Sequence, residues 1–255
     1  MEKFVDCFVY SISGDFKNIT SDDATKFKKL NEKLINEDLI LSYEKQIRFD
    51  IQITNGKPPE PVKKVIKKPQ LISEDENTLI KFNDDTISFW TKNMGKETCT
   101  TDKEAIKIKK YINLISSIYN INSKGITFDV DFIIKNFTDI EVEGIYRLFL
   151  NPQITEYSDS NPKQWQVALT KKENLDILGL ESLVTMLVGR GDLQKEGEEY
   201  KDLILIHLNI KTTKKLDVTI TKSQIESIFD KFYDTYKKIY SELEVKVDEI
   251  TNNQL

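Results

Sequence analysis

Residues Ile126 to Ile134 read ITFDVDFII, and this stretch decides the fold class. Ile126, Phe128, Val130, Phe132 and Ile134 fall on one side, with Thr127, Asp129 and Asp131 on the other. Successive side chains of a strand leave opposite faces, so a period of two predicts a half-buried β-strand. Its apolar side needs a cover. Two helical patterns can supply one. Thr101 with Glu104 forms a capping box ahead of Ala105, Ile108, Ile112, Ile115 and Tyr119. A second box, Thr221 with Gln224, opens a long C-terminal helix through Ile225, Ile228, Phe229, Phe232, Tyr236, Ile239 and Leu243. An α+β fold follows, with mostly antiparallel sheet and two or three amphipathic helices.

Further strands are read from the same alternation. Phe4 to Ile12, FVDCFVYSI, is apolar and β-branched, with Val5, Cys7 and Val9 expected on one face. Gln46 to Ile53 alternates cleanly, and Leu79 to Phe82 with Thr86 to Trp90 forms a hairpin across Asn83, Asp84 and Asp85. Gly144 to Leu150, Trp165 to Thr170 and Leu203 to Ile210 read as strands of a meander, with Tyr146, Phe149, Phe89, Trp90 and Trp165 as core aromatics. The polar stretches Asn151 to Pro162 and Gly189 to Gly197 separate them. A helix capped by Ser21 and Asp22 carries Ala24, Phe27, Leu30, Leu34 and Ile35. Lys57 to Pro69, KPPEPVKKVIKKP, is too proline-dense for a regular helix or central strand and reads as an extended linker.

The chain of 255 residues is expected to form one compact unit. The order of elements echoes itself, so sub-halves at 1–122 and 123–255 are an alternative organisation, with the proline and lysine segment at 57–69 as a linker. Charged residues make up 31% and the formal net charge is −5, with Arg at only three positions, 48, 147 and 190. Bidentate phosphate or guanine reading favours Arg, so the composition does not indicate nucleic acid. No apolar run reaches the roughly 20 residues a membrane helix needs. The start, MEKFVDCFVY, carries acids inside its apolar stretch, unlike a secretory leader, and a cytoplasmic location is expected. Two cysteines, Cys7 and Cys99, and one histidine cannot assemble a Cys/His zinc site, and no cofactor is indicated.

Three groups of residues carry candidate chemistry. Asp129 and Asp131 leave one face of a strand, with Lys135 on that face at its end; paired carboxylates suit a divalent metal and phosphoryl transfer, or else decorate a solvated strand. His207 interrupts LILIHLNI on the face shared with Leu203 and Leu205, as a general base or as a hydrogen-bonded strand histidine. Lys63, Lys64, Lys67 and Lys68 concentrate positive charge, interleaved with Val62, Val65 and Ile66, which could dock on the protein's own sheet or on another protein. Tyr233, Tyr236 and Tyr240 line one face of the last helix, a candidate interface because tyrosine tolerates partial exposure. The GRGD run from Gly189 to Asp192 reads as a hairpin tip. No GxSxG, HExxH or GxxxxGK[ST] occurs.

In layout, from the N-terminal strand through LIKFNDDTISFW and ITFDVDFII to the terminal QIESIFDKFYDTYKKIYSEL, the chain resembles a sporadically distributed, uncharacterised prokaryotic family. It departs from that pattern where the family shows an Arg-Tyr-Ile-Asn type strand, here Asp129, Val130, Asp131 and Phe132. The resemblance implies no activity; patchy distribution implies a mobile or host–virus conflict setting. The function expected is a non-enzymatic protein-binding subunit or inhibitor in a prokaryotic or phage setting, with another protein or a second copy as partner. The alternatives are a nucleic-acid or nucleotide-binding module using the 57–69 lysines, and a metal-dependent phosphoryl-transfer enzyme at Asp129 and Asp131.

Overall fold

A computed structural model describes residues 2–19, 24–34, 39–52, 60–92, 101–149, 165–195, 198–213 and 218–252. Ser21 and Asp22, Cys99 and the stretch Asn151 to Pro162 lie outside them. Thirteen elements follow in chain order: β1 (Glu2–Gly14), α1 (Ala24–Leu34), β2 (Leu39–Gln52), β3 (Glu60–Ser73), β4 (Thr78–Phe82), β5 (Thr86–Lys92), α2 (Thr101–Ile118), β6 (Ser123–Lys135), α3 (Asp139–Phe149), β7 (Trp165–Asn174), β8 (Glu181–Lys195), β9 (Glu198–Thr212) and α4 (Lys222–Asn252). The nine described strands form one antiparallel sheet in the order β2-β3-β4-β5-β1-β6-β9-β8-β7. The expected α+β architecture with a long C-terminal helix is what the chain forms.

The sheet order carries an internal echo. Each run of elements goes strand, helix, meander, helix. In each run the last strand returns to pair with the first, β5 with β1 and β9 with β6. The two first strands, β1 and β6, pair antiparallel at the centre from Glu2–Lys135 to Gly14–Ser123. Helices α2 and α4 touch each other, with α1 beside α2 and α3 beside α4.

One face of the sheet holds the core. Phe8, Tyr10, Ile12, Phe128, Val130, Phe132, Ile206 and Ile210 join residues of all four helices in a single buried cluster. Phe8 meets Phe128 edge-on at 4.6 Å, and Tyr10 meets Phe229 of α4 at 4.8 Å. Each fully buried aromatic of this kind contributes about 1.5–3 kcal/mol by leaving water, before the edge-to-face term. Cys7, Val9, Leu79, Ile133 and Leu203 are buried outside that cluster, on the opposite face.

Four sequence expectations are corrected. Val5 does not share a face with Cys7 and Val9: a bulge between Val5 and Cys7 inserts Asp6, so Val5 opposes Phe132 on the helix side while Cys7 opposes Asp131. Gly144 to Leu150 is not a strand; the segment through Phe149 belongs to helix α3. Its start is a capping box the strand reading missed, in which the Thr138 N–H donates to Glu141 Oε2 at 2.7 Å and the Glu141 N–H to Thr138 Oγ1 at 3.3 Å. Gly189 to Lys195 is not a loop but the end of β8, paired with β9 through a bulge between Gly191 and Leu193. The linker reading of 57–69 is also overturned over its described part, because Glu60 to Pro69 is strand, paired with β2. Proline is tolerated there since β4 bonds only Gln70 to Ile72 of β3. Pro61 and Pro69 share the same parity, so both can turn their missing N–H away from β2 without breaking the ladder.

Candidate functional site

The structure brings Asp129, Asp131 and His207 together. Cross-strand register places Asp131 opposite His207 and Asp129 opposite Asn209 on the helix-free side of β6 and β9. His207 Nδ1 lies 2.7 Å from Asp131 Oδ1, its Nε2 lies 3.6 Å from Asp129 Oδ1, and Asn209 Nδ2 donates to Asp129 Oδ1 at 2.6 Å. All three side chains are half-buried rather than fully solvated. Lys135, expected on this face, ends β6 and pairs with Glu2 Oε2 at 3.2 Å. The sequence held the signal for the cluster in two alternating strands, but only the register could join them.

Its electrostatics are those of a shared proton site. The hydrogen bond to Asp131 raises the pKa of His207, against an opposing contribution from burial. Burial raises the pKa of Asp129, offset in part by Asn209 and His207. The arrangement sets the imidazole between two carboxylates, Asp131 at Nδ1 and Asp129 3.6 Å from Nε2, and so favours its protonated form. A metal needs donors converging on one point, and a histidine whose two nitrogens address two separate carboxylates does not converge with them. Among the described residues no group of three or more His, Cys, Asp or Glu is placed to hold a metal ion. Cys7 stands opposite Asp131 on the far side from His207. That row runs Cys, Asp, His, with the carboxylate in the middle, whereas nucleophilic catalysis needs the imidazole beside the thiol.

The basic segment forms a second site. Register pairs run from Leu39–Ser73 to Gln52–Glu60, but β4 bonds only Gln70 to Ile72, so the outer part of the β2–β3 hairpin leaves the sheet as a two-stranded ribbon. From Lys45–Lys67 outward it extends roughly 25 Å at the usual rise of a strand. On one of its faces Ile47 opposes Val65, and both are exposed, at 56% and 55%. Lys45 opposes Lys67 next to them. Like charges directly opposite cost a few tenths of a kcal/mol or more. Lys63 and Lys67 are exposed, while Lys68 turns to Asp84 at 2.5 Å.

The remaining candidates are structural. Tyr233 and Tyr236 are buried and Tyr240 is partly buried against the chain's own sheet, with Tyr236 6.2 Å from Phe8 and Tyr240 5.3 Å from Phe132. The tyrosine stripe is therefore the docking face of α4. Burial pushes all three phenols upward in pKa. Tyr233 also donates to Asp102 at 2.7 Å, fastening α4 to the start of α2. In the GRGD run, Arg190 is buried, with Nε and Nη2 at 2.7 and 3.0 Å from the two Asp202 oxygens and its guanidinium over the Phe137 ring.

No helix of the described residues is long and apolar enough to cross a membrane. Comparison with known protein families, curated proteins and solved structures found no match. The functional reading rests on the geometry.

Proposed function

We propose that this chain is a non-enzymatic binding protein that engages another protein through the β2–β3 ribbon, acting as a subunit or inhibitor. The observation that carries the reading is the exposed Ile47–Val65 pair at the centre of a ribbon that leaves the sheet. A two-stranded ribbon is marginal alone in water, and an aliphatic cross-strand pair left in solvent forgoes the burial that would steady it. A partner with a small apolar groove rimmed by acidic side chains would cover the pair and meet the flanking lysines, the core-and-rim arrangement of protein interfaces. The prokaryotic or phage setting rests on the layout resemblance.

The test is a photo-crosslinking residue at position 47, with a control at Leu178, 45% exposed in the turn between β7 and β8. A protein adduct from position 47 alone, lost on Val65→Asp, is expected. Equal adducts from both positions, or capture that survives Val65→Asp, would overturn the reading.

The like-charged pair Lys45–Lys67, both exposed, favours a second reading, a nucleic-acid partner, because a phosphate would relieve the repulsion. Replacing Lys63, Lys64, Lys67 and Lys68 by Ser then weakens binding to a mixed-sequence duplex and flattens its salt dependence. Unchanged binding removes this alternative.

A further inference from the structure

The far end of the sheet holds a groove of about 450 Å³ between α3, α4 and strands β7 and β8. That volume lies within the range of small-molecule sites, about 300–1,000 Å³. The walls are Leu148 and Phe149 at the end of α3 and Leu243 on α4; the floor is Leu169, Val184 and Met186. Leu148 and Leu169 are 39% and 46% exposed, so apolar walls face the opening rather than closing on each other. Met186 and Leu243 also line a gap of about 20 Å³ beneath α4 beside Tyr236 and Tyr240, the room of a single water molecule. Unbranched and polarisable, Met186 can shift to admit an alkyl chain.

The rim is charged. Lys171 comes from β7 and Lys246 from α4, with Glu242 on the same rim. Lys171 rests on Glu173 at 2.7 Å and Lys246 on Glu249 at 2.8 Å, both lysines being more than half exposed. Such exposed surface pairs are weak, so an incoming anion with a buried tail can displace them.

We propose that this groove binds a free long-chain carboxylate. Its chain folds within the groove along Leu169, Val184, Met186 and Leu243, and its carboxylate meets Lys171 and Lys246 at the mouth. An apolar groove with two lysines at its mouth, each held only by an exposed surface pair, matches that amphiphile and no purely polar metabolite. The proposal is independent of the ribbon.

The experiment titrates the full chain with cis-parinaric acid, read by fluorescence enhancement, and then displaces it with oleate or with oleyl alcohol. Saturable 1:1 binding is expected, with oleate displacing more strongly than the alcohol. Leu169→Glu, at a half-exposed position the fold tolerates, weakens parinarate at least tenfold. The pair Lys171→Ala and Lys246→Ala weakens oleate severalfold and leaves oleyl alcohol unchanged, separating head recognition from loss of fold. Absence of saturable binding overturns the proposal, as does binding indifferent to Leu169→Glu. Equal displacement by acid and alcohol overturns the role given to the lysines and with it the carboxylate assignment.

Discussion

His207 and Asp131 meet across the β6–β9 pair at 2.7 Å, on the helix-free face of the central strands. The contact raises the folded-state pKa of His207 above its ordinary 6.5. Its stabilising contribution is therefore fully present below about 6.5 and is lost as the pH rises through the folded value. Asp129, raised by burial, acts in the same direction at lower pH, because ionising it in the folded state is disfavoured. Asp129 and Asp131 are the acids acting on the ring, and Lys211 acts on Asp129. His207→Gln is expected to lower the melting temperature at pH 5.5 and to narrow its deficit from wild type towards pH 8.5. A deficit that does not change with pH would show that the imidazole never carries the proton.

Helix capping gives a second expectation. Thr138 caps α3, and at the start of α4 Thr221 donates both its N–H and its hydroxyl to Gln224 Oε1 at 2.9 Å. Thr138→Ala and Thr221→Ala should each cost about 1 kcal/mol in urea denaturation, with Ser at either position retaining most of the stability. Ala variants matching wild type in midpoint would remove the boxes as the reason these helices start where they do.

Gly144 reports the packing of α3 against α4. A Cβ there would lie 2.5 Å from Ile250 Cγ2. Gly144→Ala is expected to destabilise by about 1–3 kcal/mol through overpacking. Combining it with Ile250→Ala should restore part of that loss, since residues in contact do not add independently. Strict additivity in the double-mutant cycle would mean the two helices do not meet at this point.

Arg190 tests whether the end of β8 depends on fork geometry. Its Nε and Nη2 reach separate oxygens of Asp202, and the side chain is 7% exposed. Arg190→Lys keeps the charge but cannot span both oxygens, and should cost about 1–2 kcal/mol in chemical denaturation. Full stability in the Lys variant would show that charge alone suffices.

Elements with strong local patterning were legible. The 126–134 strand, the Leu79–Trp90 hairpin, and helices α2 and α4 all emerged from alternation, turn residues or capping boxes. Helix α3 was hidden by its aromatic and aliphatic residues, Ile145, Tyr146, Leu148 and Phe149, which suit a strand as well as a helix. The deciding signal, Thr138 with Glu141, lay six residues before the misread segment. Strand β3 was hidden by proline, whose cost depends on whether a neighbour needs the missing N–H. Of the candidate site, Asp129, Asp131 and His207 were each singled out, yet as unrelated residues.

The sequence by itself determined the class of the fold and which face of the 126–134 strand turns inward, because periodicity and capping act over a few residues; the equally regular 46–53 strand, expected to be half-buried, instead leaves Ile47 exposed. Only the tertiary structure decided that β6 lies between β1 and β9, that Asp131 meets His207, and that the lysine-rich segment is a paired ribbon. Those outcomes depend on register between segments far apart in the chain, Glu2 with Lys135 in the β1–β6 pair and Asp129 with Asn209, 80 residues apart, in the acid and imidazole cluster. Register is set by burying one whole face of the sheet at once, since a slip of one residue would turn every side chain of a strand over. No local stretch carries that information, because the face to be buried exists only when the strands are assembled.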